Sequence, residues 1–173
     1  MTDPLTLSPE HCRQRQLRLE QELAEQNVEL ALFVSHENIQ YLSGFRPHRL
    51  LRAALLYQSG QGWTLVAPNS IPENVAANDV LTFEAQWHAT IRQEQIELAI
   101  AALAKKMRFS ALQRIGVEAS VSTDFVHRLT DHRFRELVDL DSILWNLRRN
   151  KDPDELAMIG RAIDCTRAMY ETA

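Results

Sequence analysis

The sequence has two cysteines, five glycines and no excess of positive charge. Each shortage excludes something. Cys12 and Cys165 lie near opposite ends with no CxxC spacing, which excludes a zinc knuckle and a secreted-type disulfide framework, and makes a reducing compartment the simpler setting. The glycines do not fall into GxGxxG or GxxxxGK[ST], so no phosphate-cradling loop is present. Lys and Arg number 19 against 23 Asp and Glu, a formal net charge of -4, which gives no electrostatic case for nucleic acid or an anionic membrane. Apolar stretches such as Leu30 to Val34 fall far short of the ~20 residues of a spanning helix. The Met-Thr-Asp-Pro start lacks a basic segment followed by an apolar run, so no signal peptide is expected. A cytoplasmic protein is expected.

What remains is ordinary globular material. The 173 residues are 45% apolar and 24% charged, enough for one domain that folds without a staple. Ser8-Pro9 reads as a capping hydroxyl with proline at the first helical position, opening a helix through Gln26 with Leu19 and Leu23 on one face. Val28 to Val34 reads as a buried strand. Ser35 caps a short helix through Tyr41, which Gly44 closes in a left-handed conformation. Leu50 to Tyr57 and Trp63 to Ala67 flank a glycine-rich link and predict an antiparallel hairpin.

Further on, Ser70 to Ala77 is expected to form a helical turn or two, and Val80 to Ala85 a strand. Ile91 to Met107 carries the helix period, and Arg114 to Glu118 follows as a strand. Ser122 caps a helix bearing Phe125, Val126 and Leu129. Leu137 to Leu140 is the last strand, Ser142 to Arg149 a short helix, and Asp152-Pro153-Asp154-Glu155 starts the terminal one. Alternating strands and helices predict an α/β fold, a mixed sheet with one hairpin flanked by helices. The terminal helix carries no closing signal. Both a chain cut inside a longer protein and a frayed natural end fit that feature.

Sites for chemistry are few. His127 and His132 are five apart, which rotates the second ligand off the helical face shared at spacings of three or four. His11, His36, His48 and His88 are scattered. Asp139-Leu140-Asp141 would point two carboxylates to one face of a strand, but Asp141 precedes a helix and reads as its N-cap. Ser35-His36-Glu37 and Ser43-Gly44 lack a nucleophile elbow. The segment Gly44-Phe45-Arg46-Pro47-His48-Arg49-Leu50-Leu51-Arg52 is harder to set aside, since an arginine fork beside an aromatic can orient an anionic small molecule. A solvated basic loop whose Arg52 pairs with a surface acid is the plain alternative.

Several segments together then resemble a known family. Arg15, Arg18 and Leu19 on the first helix precede Asn38-Ile39-Gln40-Tyr41-Leu42-Ser43-Gly44-Phe45. A hairpin ending in Ala67-Pro68 follows, then Ile115-Gly116-Val117-Glu118, then Leu144 to Asn150 and Lys151-Asp152-Pro153-Asp154-Glu155-Leu156. This order resembles the N-terminal domain of the creatinase, prolidase and aminopeptidase P family.

The resemblance implies a ribonuclease H-like α/β domain over residues 1–150. Residues 151–173 would be the linker and first helix of a C-terminal pita-bread catalytic domain. In that family two Asp, a His and two Glu hold a dinuclear metal site (Mn, Co or Zn), or a metal-free variant of it, downstream of the segment seen here. The chain alone is therefore expected to have no catalytic residues and no metal. Its partners would be its own catalytic domain and a second copy in a homodimer, with the domain overhanging the neighbour's active site. By position after the N-I-x-Y-L-S-G motif, Arg52 would hold a substrate carboxylate, with Phe45 and Arg49 as neighbours. Xaa-Pro peptides, guanidino acids and other small amides all stay open as substrates. A stand-alone binding or oligomerisation module and a small independent enzyme are the other two readings.

Overall fold

The hairpin at the centre of the chain shows how local chemistry sets the sheet. β2 (Ala54–Gln58) and β3 (Gly62–Pro68) pair antiparallel, with Leu55 opposite Leu65. Gln61 N–H donates to the Gln58 carbonyl at 3.0 Å. Gly60 and Gly62 both take positive φ, 77° and 85°, where a side chain is strained. At Gly62 a Cβ would also collide with Asn78 Oδ1, the atom that accepts the Trp63 N–H at 2.8 Å.

A computed structural model describes residues 6–88, 91–92, 94–106, 112–119, 123–131 and 133–171. Helix α1 (Pro9–Glu25) leads to β1 (Leu30–Phe33), α2 (His36–Ser43) and the hairpin. Then come β4 (Asp79–Phe83), β5 (Trp87–His88), β6 (Ile91–Arg92), α3 (Gln95–Lys106), β7 (Leu112–Val117), α4 (Thr123–Thr130), β8 (Phe134–Asp139), α5 (Asp141–Arg149) and α6 (Pro153–Glu171). The main sheet has six strands in the order β4-β3-β2-β1-β7-β8. β1 pairs antiparallel with β2 and parallel with β7; β3–β4 and β7–β8 are also parallel. The expected mixed α/β sheet, flanked by helices, is what forms.

β1 is buried along its whole length, and its period of two feeds two cores. Ala31 and Phe33 join Leu19 and Leu23 of α1, Ile39 and Leu42 of α2, and Ile143 and Leu144 of α5. Leu30 and Leu32 face the other way, onto Ala99, Ile100 and Leu103 of α3 and Phe125, Val126 and Leu129 of α4. Among the described residues Trp63 is the largest buried side chain, stacked on Phe33 at 5.8 Å between ring centroids and tilted against Tyr57 at 5.1 Å. Each fully buried aliphatic or aromatic group here contributes roughly 1.5–3 kcal/mol.

Several local expectations need correction. Pro9 opens α1, but the Ser8 hydroxyl makes no capping bond; the Ser8 backbone N–H instead donates to Asp154 Oδ2 at 3.0 Å. α1 ends with Asn27 in the left-handed region, φ 54°, and Val28 N–H returning to the Leu23 carbonyl. The 70–77 segment forms no helix: Asn69 and Asn74 take positive φ, and Ala76 N–H is spent on the Ser43 carbonyl. α3 begins at Gln95 rather than Ile91, because residues 91–92 pair with 87–88 in a small second sheet. Ahead of α5 the cap-type bond comes from Asp139, whose Oδ1 accepts the Asp141 N–H at 2.8 Å; Asp141 is already helical. The expected cap at Ser122 lies outside the described residues.

Candidate functional site

The loop after α2 carries the three side chains expected to meet a substrate. Ser35 and Gly44 bracket α2 as their chemistry requires: Ser35 Oγ accepts the Asn38 N–H at 3.3 Å, and Gly44 takes φ 79°. Beyond Gly44 the loop is mostly exposed, with Pro47 buried and Phe45 half-buried, and its far end is pinned. Gln95 Oε1 accepts the Arg52 N–H at 2.7 Å, Gln95 Nε2 donates to the Leu50 carbonyl at 3.2 Å, and His36 Nε2 lies 2.9 Å from the Leu51 carbonyl. The Arg52 guanidinium is exposed on the rim of a cavity of about 370 Å³. Ser35 and His36 line its polar side, and Ala53, Ile96 and Phe125 its apolar side. Among the described residues Arg52 makes no ion pair. Phe45 is half-buried against the main core and faces a different cleft of about 600 Å³, shared with Ala157 and Arg161 of α6. Arg49 is exposed and lines neither cavity. The three residues thus share a loop without converging.

Sequence reasoning missed Glu118. It follows β7 at the carboxyl ends of parallel β1 and β7, where the chain departs in opposite directions: from β1 toward β2 and from β7 toward β8. Open α/β sheets place ligands in such a crevice. Here the crevice holds the chain's own carboxylate, only 2% exposed. Glu118 accepts from Val34 N–H at 2.6 Å, Ser35 N–H at 3.0 Å, Asn38 Nδ2 at 2.6 Å and the Ser35 hydroxyl. Those donors sit at the positive end of α2, so Glu118 serves that helix as a built-in anion. Its sequence signal was slight, one acid directly after a strand.

A second buried charge ties α1 to α6. Cys12, Arg15, Gln16, Leu19 and Leu23 form the buried face of α1 at helical spacing, so Arg15 sits inside an apolar stripe. Its side chain is fully buried. Arg15 Nε donates to Asp152 Oδ2 at 2.8 Å, Nη2 to Asp154 Oδ1, and Nη1 to the Tyr41 carbonyl at 3.3 Å. The guanidinium also lies 5.0 Å from the centre of the Tyr41 ring. Arg18 Nη2 donates to the same Asp152 oxygen at 2.7 Å. At the start of α6 the expected capping pattern holds on one arm, with Asp152 N–H reaching Glu155 Oε2 at 3.1 Å. Asn38 joins the two clusters, donating to Glu118 and accepting from Arg148 Nη1 at 2.9 Å.

Asp152, Asp154 and Glu155 can bring one oxygen each within 4.8 Å of one another, the proximity a cation site would need. They do not fit a divalent metal. Arg15 is inserted among them, and Arg18 takes a further lone pair, so guanidinium supplies the positive charge. Elsewhere, His127 packs its ring on Phe134 at 5.1 Å, and His132 lies outside the described residues.

The same clamp implies an acid limb. Burial pushes the Asp152 carboxyl up, but hydrogen bonds and charge from Arg18 and Arg15 outweigh it and hold the group below the ordinary carboxylate range. The stability so supplied is fully present above the unfolded value of about 3.9 and is lost as pH falls through the lower folded value. Asp152→Asn therefore costs stability at about pH 6, and the gap to the parent chain should close as pH falls below the ordinary carboxylate range in urea titrations. A gap that is constant with pH would show that the ionised carboxylate is not what holds this junction.

Residues 15–149 match the Creatinase/Prolidase N-terminal domain family. The chain belongs to this family. The fold agrees with solved structures at low identity. The prolidase of Pyrococcus horikoshii OT3 aligns at 18% identity with a TM-score of 0.64, over 87% of this chain and 39% of that one. A proline dipeptidase from Streptococcus pneumoniae aligns at 16% and 0.59, over 79% of this chain and 98% of that one. The Creatinase/Prolidase N-terminal domain of an X-Pro dipeptidase from Streptococcus pyogenes aligns at 18% and 0.54, over 79% and 98%. This chain therefore spans well under half of the Pyrococcus prolidase and nearly all of the streptococcal domains. No curated protein matches it by sequence. Among the described residues no helix is long and apolar enough to cross a membrane.

In this Creatinase/Prolidase N-terminal domain, most of the segments that carry the family resemblance, the hairpin excepted, are gathered by the structure into one network. Asn38 and Tyr41, Glu118, Arg148, and Asp152 with Asp154 come from separate stretches and meet around α2. Gly116, in the same segment as Glu118, is held to glycine by packing instead, because a Cβ there would lie 2.6 Å from a Leu140 methyl carbon.

Proposed function

We propose that this domain is the non-catalytic half of a cytoplasmic metallohydrolase of the Xaa-Pro peptidase or creatinase type, working as a homodimer. Residues 151–173 then form the linker and first helix of the catalytic domain. That domain would hold the divalent metal, Mn, Co or Zn. The present domain contributes to dimerisation and to substrate access at the neighbouring subunit's active site. Membership of the family carries the reading. The geometry supports a part for Arg52, an exposed guanidinium with no ion pair among the described residues, on a loop that Gln95 and His36 hold in place. Such a fork is suited to a substrate carboxylate. The free state of Cys12 and Cys165 suits a reducing compartment.

Arg52→Ala in the protein that includes the catalytic domain tests the recognition role. Loss of a charge-assisted pair worth about 1.5–3 kcal/mol predicts a 10- to 150-fold rise in KM for Xaa-Pro dipeptides, with kcat much less affected. Unchanged kinetics would return Arg52 to a solvated surface group. A chain that occurs naturally without any catalytic partner would favour a stand-alone binding module.

A further inference from the structure

α6 is 19 residues long and none of its described residues is buried, so no fully buried face sets its direction. Residues 161–171 are exposed throughout. What holds the helix gathers at its start. Ser8 N–H and Arg15 meet Asp154, Arg15 and Arg18 meet Asp152, and Met158 packs against the small cluster of Leu7, Cys12 and Ala76.

Arg15 occupies a special place among these contacts. One side of its guanidinium is fixed by the domain: Nη1 donates to the Tyr41 carbonyl and faces Cys12 Sγ at 3.5 Å, while the Tyr41 ring stacks on it. The other two nitrogens hold the carboxylates on either side of Pro153. A planar fork gripping two points of a helix start defines a direction as well as an attachment. Lysine has the charge without the plane, and a single ammonium cannot reproduce both grips in fixed geometry.

We infer that Arg15 is a positioning residue, the pivot that fixes the direction of α6, and of whatever that helix carries, relative to the sheet. The inference stands on the geometry of this chain and does not require the hydrolase reading. The leverage is large: at 1.5 Å per residue Cys165 lies about 16 Å along the axis from Asp154, so a tilt of about 20° displaces it by about 6 Å.

Cys165 also supplies the measurement. It is exposed and free, whereas burial pushes the Cys12 thiol up to about 12 and leaves it unreactive toward a spin label. A second label at Leu17→Cys, on the exposed side of α1, completes the pair. Double electron–electron resonance on the full chain should give one narrow distance distribution. Arg15→Lys and Asp154→Asn should each broaden it at least twofold, and Arg15→Met at least as much. Arg114→Met, which removes an exposed ion pair to Glu136 between β7 and β8 and touches none of the α6 anchors, should leave it unchanged. A folded Arg15→Lys chain with the parent width would overturn the inference, as would a broad distribution in the parent chain. Should Arg15→Met fail to fold, the Lys and Asn variants still decide.

Discussion

Replacing Glu118 by leucine should lower the stability of the chain by about 3–5 kcal/mol, a large share of the 5–15 kcal/mol typical of a domain. The loss is one of satisfaction more than of attraction. Leucine fills similar space, but Val34 N–H, Ser35 N–H and the buried Asn38 amide are left at a half-buried helix start without the carboxylate that accepts from them. Each buried donor without a partner costs about 1–3 kcal/mol. Arg148 then loses the orientation of Asn38 Oδ1 as well. Glu118→Gln keeps one acceptor oxygen and should lose less, about 1–2 kcal/mol. Urea unfolding measures both. A leucine variant within about 0.5 kcal/mol of the parent would mean that water or a rearranged α2 satisfies these donors at little cost.

Trp63→Ala should be comparably severe, again about 3–5 kcal/mol. The indole is 2% exposed, stacked on Phe33 and tilted against Tyr57, and its Nε1–H donates to Glu20 Oε1 at 2.6 Å. Truncation opens a cavity between α1 and the hairpin and strands the Glu20 carboxylate. Trp63→Phe keeps the ring contacts and loses only the Glu20 bond, so a cost of about 1 kcal/mol is expected from that bond, with a smaller packing loss added. A phenylalanine variant as unstable as the alanine one would show that the hydrogen bond, and not the ring, dominates at this position.

The elements that could be read from the sequence are those whose causes lie within a few residues. Gly60 and Gly62 announce the hairpin because only glycine suits their positive φ. Ser35 and Gly44 announce the ends of α2, and Asp152-Pro153-x-Glu155 the start of α6. The elements that could not be read depend on distant partners. Residues 70–77 carry a helix-like start, yet the Ala76 N–H is claimed by Ser43. Ile91 continues the helical period of α3 in sequence, yet it pairs with His88. Asp141 looks like a cap, yet it is already helical and its own N–H is taken by Asp139, a strand residue.

The candidate site divides in the same way. Arg52, Arg49 and Phe45 were reachable from local composition and from position after the motif. The structure places Arg52 on one cavity, Phe45 on another and Arg49 on neither. Glu118 and Arg15 were not reachable as functional centres, because a buried charge is recognised by what surrounds it. The partners of Glu118 lie 80 to 84 residues away in sequence, and Arg15 meets Asp152 and Asp154 137 and 139 residues on. One clue was present and went unused: Arg15 occupies the apolar stripe of α1, where an unpaired charge would be costly.

As proposed, this domain supports and positions, while residues outside it do the chemistry. The most direct measurement is proline release from Xaa-Pro dipeptides by the purified 173-residue chain in the presence of Mn, Co or Zn, run beside the protein that includes the catalytic domain. The account predicts no turnover above the uncatalysed rate from the chain alone at any metal concentration, and metal-dependent turnover from the longer protein. Metal-dependent proline release by the 173 residues alone would contradict it.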